Sequence, residues 1–75
     1  MSTVGGRLRQ ARERRVMSQE DLARVADVTE ATISRIENDR YGPPRPSTIR
    51  KLAAALDIEP GWLLFGEEQE SKLAA

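Results

Sequence analysis

The sequence contains no cysteine and no histidine. Without cysteine, the chain can form neither disulfides nor thiolate metal sites. Without histidine, it lacks the commonest metal ligand and the commonest general base. It also has no glycine-rich phosphate loop, metal-ligand spacing or nucleophile motif. We therefore expect neither an enzyme nor a bound metal or cofactor.

Long apolar runs are absent as well, since none approaches the roughly 20 residues that a membrane-spanning helix needs. The N-terminal segment lacks the apolar region of a secretory signal. We expect a cytoplasmic protein with no membrane partner. At 75 residues, the chain has room for one small domain with a thin core, which oligomerisation would reinforce. With one domain and no sensor region, a small-molecule ligand is not expected.

The chain has no net charge, because 12 basic side chains balance 12 acidic ones. The two signs are segregated, however. Residues 1–17 carry five arginines and one acidic side chain, and residues 40–51 carry four basic side chains and no acidic one. A fold that brings these blocks to one face would give a neutral chain a positive surface. The alternative is that the charges merely solvate the surfaces of helices.

Apolar residues recur at helical spacing, and no useful length of sequence alternates with a period of two. This pattern predicts an all-α fold of five helices. The first helix is predicted from about Val4 to Arg15. The next three are predicted to begin after the N-caps Ser18, Thr29 and Ser47. The fifth is predicted to begin at Pro60 and to end at Gly66. Between the third and fourth helices, residues 38–46 carry three prolines and a glycine, which predicts a loop.

The same spacing indicates which side of each helix is buried. The side chains predicted to face inward are Leu8, Ala11 and Val16; Leu22, Ala23, Val25 and Ala26; Val28, Ile33 and Ile36; and Ile49, Leu52, Ala53 and Leu56. The fifth helix carries four successive large apolar residues, Trp62 to Phe65. One short helix cannot bury all four, because they point in different directions. We expect Trp62 and Leu63 to seal the core.

The second and third predicted helices are separated only by Asp27 and Val28 before the Thr29 cap. Two short helices joined by so tight a turn cross steeply, which is the helix-turn-helix unit. If Ile33 and Ile36 anchor the third helix from beneath, its other side is exposed. The exposed residues are then Glu30, Ala31, Thr32, Ser34 and Arg35. A face of short side chains with one arginine suits the reading of a DNA major groove.

Several runs of the sequence together match one family in order and spacing. They are Arg7 to Arg12, Ser18 to Ala23, Val28 to Asn38, Leu52 to Leu56 and Trp62 to Leu64. On these runs the chain resembles the phage-repressor (Xre, Cro/cI-type) helix-turn-helix family. It departs from the family in having Val16 and Asp27 where glycines are common, and in a longer, proline-rich loop over residues 39–46.

The resemblance implies a compact lambda-repressor-like domain, to which we assign residues 1–66. Residues 67–75 are polar and acidic, and we expect them to form a C-terminal tail. The resemblance also implies a sequence-specific transcriptional regulator of the repressor or controller type. Such a protein binds double-stranded, palindromic operator DNA as a homodimer through the major groove, and is nucleoid-associated. The runner-up hypothesis is a protein-interaction or antitoxin-like module of the same fold, with weak or partner-dependent DNA binding. The neutral net charge, Glu30 and the acidic tail favour it.

The resemblance also assigns roles to individual residues. The residues implied to face base edges are Glu30, Ala31, Thr32, Ser34 and Arg35. Those implied to reach phosphates are Gln19, Thr29, Asn38, Arg40 and Arg45. Arg12 and Glu37 match a structural ion pair between the first and third helices.

Each of these roles has a plainer alternative. Arg35 could pair with Asp39 instead of reading guanine, and Glu30 could stabilise the helix dipole instead of accepting from a cytosine amino group. The ion pair could lie at the surface, where it would be worth about 0–1 kcal/mol. We expect a dimer interface at Leu64 and Phe65; the alternative is a monomer whose tail covers this patch.

Overall fold

The computed structural model describes residues 3–66, and within this range the chain forms five helices and no strand. The helices are α1 (Val4–Arg14), α2 (Gln19–Ala26), α3 (Glu30–Glu37), α4 (Pro46–Leu56) and α5 (Pro60–Phe65). The prediction of a five-helix, all-α fold is confirmed. The predicted acidic tail, residues 67–75, lies outside the described residues. No helix in the described range is long and apolar enough to cross a membrane.

Side chains that the sequence marks as caps fix the starts of α2 and α3. Ser18 Oγ accepts from the Asp21 amide at 2.9 Å, and the Asp21 carboxylate accepts from the Ser18 amide at 3.0 Å, which completes a capping box. The hydrogen bond that the Ser18 amide donates to this carboxylate lowers the pKa of Asp21. At the start of α3, Thr29 Oγ1 accepts from the Thr32 amide at 3.1 Å. Both predicted N-caps are confirmed.

The start of α4 differs from the prediction. The helix begins at Pro46, and Arg45 is its N-cap, in an extended conformation and without a side-chain capping bond. Proline at the first helical position has no amide hydrogen to satisfy, and its fixed φ is already helical. Since Pro46 starts the helix before Ser47, the prediction of Ser47 as the N-cap is wrong.

Left-handed residues end α2 and occupy the turn before it. Asp27 has a φ of 59°, and the following Val28 amide donates to the Ala23 carbonyl at 3.1 Å. Val16, in the turn between α1 and α2, has a φ of 54° and is 90% exposed. The prediction that Val16 belongs to the buried stripe is therefore wrong, because the chain leaves the helix before this residue.

The core draws apolar residues from all five helices. Its fully buried large side chains are Leu8, Leu22, Ile33, Leu52, Leu56 and Leu63. Val25 was predicted to face inward but is exposed. Leu22, Ala23 and Ala26 already fill the buried side of this two-turn helix, so Val25 falls at its solvent edge.

The helices pack so that α3 is held from two sides. It contacts both α1 and α2, while α4 packs against α2 and α5. The approach of α1 to the end of α3 depends on Gly5, where an added Cβ would collide with the Ile36 carbonyl oxygen. Gly5 therefore lets the start of α1 lie directly against the last turn of α3.

Candidate nucleic-acid interface

Helix α3 has a buried side and an outward side. Ile33 and Ile36 are buried beneath it. On the outward side, Glu30, Ala31 and Arg35 are exposed, while Thr32 and Ser34 are half-buried. The five residues predicted to face DNA bases therefore lie on the part of α3 that the core does not cover.

Three side chains on this outward side form a hydrogen-bonded chain along the helix. Arg35 Nη2 donates to Thr32 Oγ1 at 3.2 Å, and Thr32 Oγ1 lies 2.8 Å from Thr29 Oγ1. Arg35 thus takes Thr32 as its partner and not Asp39, which the sequence offered as the alternative. This series of hydrogen bonds runs from Thr29, the N-cap of α3, to the exposed guanidinium group of Arg35.

At the C-terminal end of α3, the Asn38 amide turns back toward the helix. Its Nδ2 donates to the Ser34 carbonyl at 2.8 Å and lies 3.4 Å from Ser34 Oγ. Asn38 is the C-cap of α3 and is exposed. Its side-chain nitrogen therefore binds within the helix, although the sequence assigns Asn38 to phosphate contact.

The inner side of the last turn of α3 carries a buried carboxylate. Glu37 has a fully buried side chain, and Arg12 donates to it twice, from Nε at 2.7 Å and from Nη2 at 3.0 Å. Gln19 Nε2 donates at 3.0 Å, and Arg9 Nε adds a longer bond at 3.4 Å. The pair that the resemblance implies is thus a four-residue network that joins α1, α2 and α3.

This network sets the charge of Glu37. Burial on its own would raise the pKa of Glu37, but the hydrogen bonds from Arg12 and Gln19 outweigh it and hold the pKa below the ordinary value. The bond to Glu37 in turn raises the pKa of Arg12. Arg12 also donates from Nη1 to the Met17 carbonyl at 2.8 Å, which fixes the turn between α1 and α2.

Gln19 belongs to this buried network and is also one of the residues that the resemblance assigns to phosphate contact. It is the first residue of α2 and is half-buried. Its Nε2 carries two hydrogens, of which one is donated to Glu37. The second remains for an outside acceptor, and backbone donors of a helix N-terminus lie beside it.

The loop between α3 and α4 lies beside α3 and borders an open cavity of about 500 Å³. Arg35, Arg40 and Arg45 line this cavity, and none of the described residues that line it is acidic. Tyr41 lines it too and is 83% exposed, with a φ of 64°. The sequence placed both loop arginines near phosphates but gave no role to Tyr41, since an aromatic residue in a loop carries no spacing signal.

Known proteins share this arrangement of helices. A family model described as helix-turn-helix matches residues 8–63, which is most of the chain. The chain belongs to this helix-turn-helix family.

Among the relatives of this helix-turn-helix protein are two repressors. The HTH-type transcriptional repressor RghR of Bacillus subtilis (strain 168) is 45% identical over 65 residues, which cover 87% of this chain and 48% of that protein. The immunity repressor protein of Bacillus phage phi105 is 38% identical over 66 residues, which cover 88% and 44%. The chain therefore spans less than half the length of these two relatives.

Some of the similar solved structures contain DNA. The P22 c2 repressor protein in complex with synthetic operator 9T is 27% identical, with a TM-score of 0.80 over 88% of this chain and 98% of that chain. The predicted family, that of phage-type repressors, is confirmed. Its relatives are transcriptional repressors and not enzymes.

Arg7 is a structural residue of this helix-turn-helix protein that sequence reasoning missed. The sequence gives Arg7 no role of its own beyond a charge that could solvate a helix surface, yet Arg7 is only 6% exposed. Its Nε donates to the Leu63 carbonyl at 3.0 Å and its Nη2 to the Leu64 carbonyl at 2.9 Å. Arg7 thus satisfies the C-terminal carbonyls of α5, which lack partners within the helix.

The apolar residues of α5 divide between core and surface. Leu63 is fully buried, as predicted, while Trp62 and Leu64 are half-buried against the core. Phe65 is 59% exposed. Trp62 lies one helical turn before Phe65 and borders an open cavity of about 450 Å³ that Ile58 also lines. The described residues therefore leave an apolar strip on α5 uncovered.

Proposed function

We propose that this protein is a sequence-specific DNA-binding transcriptional regulator of the repressor type. The observation that carries the proposal is the orientation of α3, whose isoleucines are buried while Arg35 and its polar neighbours face outward. A helix presented in this way fits the major groove, where side chains distinguish base pairs by their edges. The similarity to a repressor bound to its operator supports the same docking.

In this proposal, the outward side of α3 reads bases and its surroundings hold the DNA backbone. Arg35 donates to a guanine edge, Glu30 accepts from a cytosine amino group, and Ala31 contacts a thymine methyl group. The backbone contacts come from Gln19, Thr29, Asn38, Arg40 and Arg45, of which Arg40 and Arg45 line the open cavity together with Arg35. Phosphate contacts of this kind fix the position of the protein on the duplex without carrying sequence information.

We also propose that the protein binds as a homodimer. Phe65 is exposed, Leu64 is only partly covered, and Trp62 and Ile58 extend the apolar strip. A two-fold dimer joined there would bind a palindromic operator whose half-sites lie about 34–36 Å apart, one turn of the DNA helix.

Selection of bound duplexes from a random pool at fixed salt tests this function. We expect an enriched palindromic motif. We also expect the logarithm of the binding constant to fall linearly with the logarithm of the salt concentration, with a slope of about −0.9 for each neutralised phosphate. Binding that is indifferent to competitor sequence, or no retained DNA, would contradict it. In that case, the runner-up hypothesis of a protein-interaction or antitoxin-like module would replace it.

A further inference from the structure

We propose that Thr32 is a positioning residue that holds Arg35 for guanine and couples it, through Thr29, to a DNA phosphate. Thr32 itself then contacts no base, contrary to the role that the resemblance implies for it. This inference rests on the proposed function and concerns the same site.

The three side chains are spaced by three residues, so they follow one another along one side of α3 and its cap. Arg35 Nη2 is 3.2 Å from Thr32 Oγ1, which is 2.8 Å from Thr29 Oγ1. Thr29 Oγ1 also accepts from the Thr32 backbone amide at 3.1 Å. The hydroxyl of Thr32 is therefore engaged on both sides within the protein.

The direction of these hydrogen bonds follows from what each group can do. A guanidinium only donates, so Thr32 Oγ1 accepts from Arg35. If the Thr32 hydroxyl donates a hydrogen bond to Thr29 Oγ1, this oxygen accepts two hydrogen bonds, one from the Thr32 hydroxyl and one from the Thr32 amide. The hydroxyl hydrogen of Thr29 then points away from Thr32. A phosphate oxygen only accepts, and it would complete the series from Arg35 through Thr32 and Thr29 to the DNA backbone. Phosphate binding thus favours this direction over the reverse.

Holding Arg35 in this way leaves its reading capacity intact. A guanidinium has five N–H donors in a planar fork. One is directed to Thr32, and a guanine edge, with acceptors at O6 and N7, needs two. The hydroxyl of Thr32 thus restricts a long, flexible side chain without using the donors that a guanine contact requires.

The test compares Thr32→Val with Thr32→Ser on the operator recovered from the random pool. Valine keeps the shape and the backbone amide that Thr29 caps but removes the hydroxyl, while serine keeps the hydroxyl. The Arg35→Ala variant first identifies the operator position at which the base preference depends on Arg35. The readout is then the ratio of two affinities, that for the selected operator and that for duplexes with another base at this position. Urea unfolding of each variant shows that it is folded.

We expect Thr32→Val to lower this ratio by about two- to tenfold, the effect of losing one hydrogen bond of ordinary strength. Thr32→Ser should retain the ratio. In an Arg35→Ala background, Thr32→Val should leave it unchanged, because no side chain remains to be positioned. A neutral methylphosphonate can replace each operator phosphate in turn. For the wild type, the replacement at one phosphate should lower the affinity ratio, and for Thr32→Val the same replacement should leave the ratio unchanged.

Two results would overturn the inference while leaving the proposed function in place. One is a ratio that Thr32→Val does not change, or that Thr32→Ser lowers as much. The other is a recovered operator on which Arg35→Ala changes no base preference. A pool from which no motif is enriched would overturn the proposed function, and this inference with it.

Discussion

At the scale of single residues, Glu37 is a sensitive position near α3 because it is a buried charge. Its buried carboxylate is stabilised only by the donors around it, and Arg12 lies beside it with little exposure. Removing one partner of a buried ion pair leaves an uncompensated charge, which costs about 3–5 kcal/mol.

We therefore expect Glu37→Gln to lower the free energy of unfolding by about 3–5 kcal/mol, measured by urea denaturation. Arg24→Gln is the matched control, since the Arg24–Asp21 pair at 3.2 Å is largely exposed. Its loss should cost about 0–1 kcal/mol. Equal effects of the two substitutions would contradict the role assigned to burial.

The pH dependence of stability follows from the same residue. The pKa of Glu37 is lowered in the folded protein, against about 4.3 in an unfolded chain. Its contribution is therefore fully present above the unfolded value and is lost as the pH falls through the folded one.

The difference in unfolding free energy between wild type and Glu37→Gln should thus be constant near neutral pH and shrink below about pH 4. Urea denaturation of both proteins at pH 7 and pH 3 measures it. A difference of the same size at both pH values would show that the charge of Glu37 is not what stabilises the fold.

At the scale of secondary structure, the contact between α1 and α3 rests on Gly5. An added Cβ would meet the carbonyl oxygens of Ile36 and Glu37, and these backbone atoms cannot move without shifting α3. Helix propensity alone predicts that Gly5→Ala stabilises α1 by about 1 kcal/mol.

We expect the opposite sign for Gly5→Ala, a destabilisation of about 1–3 kcal/mol, as for other overpacked sites. Thermal and urea unfolding measure it. Gly42→Ala is the comparison, because its site has open space and only a positive φ of 78° to oppose a side chain. A stabilised Gly5→Ala protein would refute the close approach of the two helices.

The elements also show what the sequence could predict. The capping pair Ser18 and Asp21, and the Thr29 cap, were predictable because capping is local and has a fixed spacing. The predicted start of α4 is wrong because Pro46 was assigned to the proline-rich loop, although proline also suits the first position of a helix. In contrast, Val16 and Val25 were misjudged because apolar spacing indicates a stripe but not where that stripe ends.

The candidate site was predictable to a similar degree. The outward residues of α3 follow from its period once Ile33 and Ile36 are placed inside. The bonds from Arg7 to α5 and from Gln19 to Glu37 join residues 56 and 18 positions apart. No local pattern in one sequence reports such pairs, since they depend on how the helices pack.

At the scale of the whole molecule, the uncovered strip on α5 bears on assembly. We expect Phe65→Glu to shift the protein toward monomer in sedimentation experiments, because a charge would then be buried at the proposed interface. Operator affinity should fall with it. Val16→Glu is the control, because it places a charge at another exposed apolar residue. It should leave the molecular mass measured by sedimentation unchanged. A Phe65→Glu protein with the mass and affinity of the wild type would exclude this interface.

Trp62 is the single tryptophan of the chain, and it is half-buried one helical turn before Phe65. Its indole ring is thus an intrinsic fluorophore beside the apolar strip on α5, where a second subunit would bind. Emission from a tryptophan shifts to shorter wavelength when water is removed from around it. Dilution of the unlabelled protein would therefore report self-association optically, without a dye or a tag.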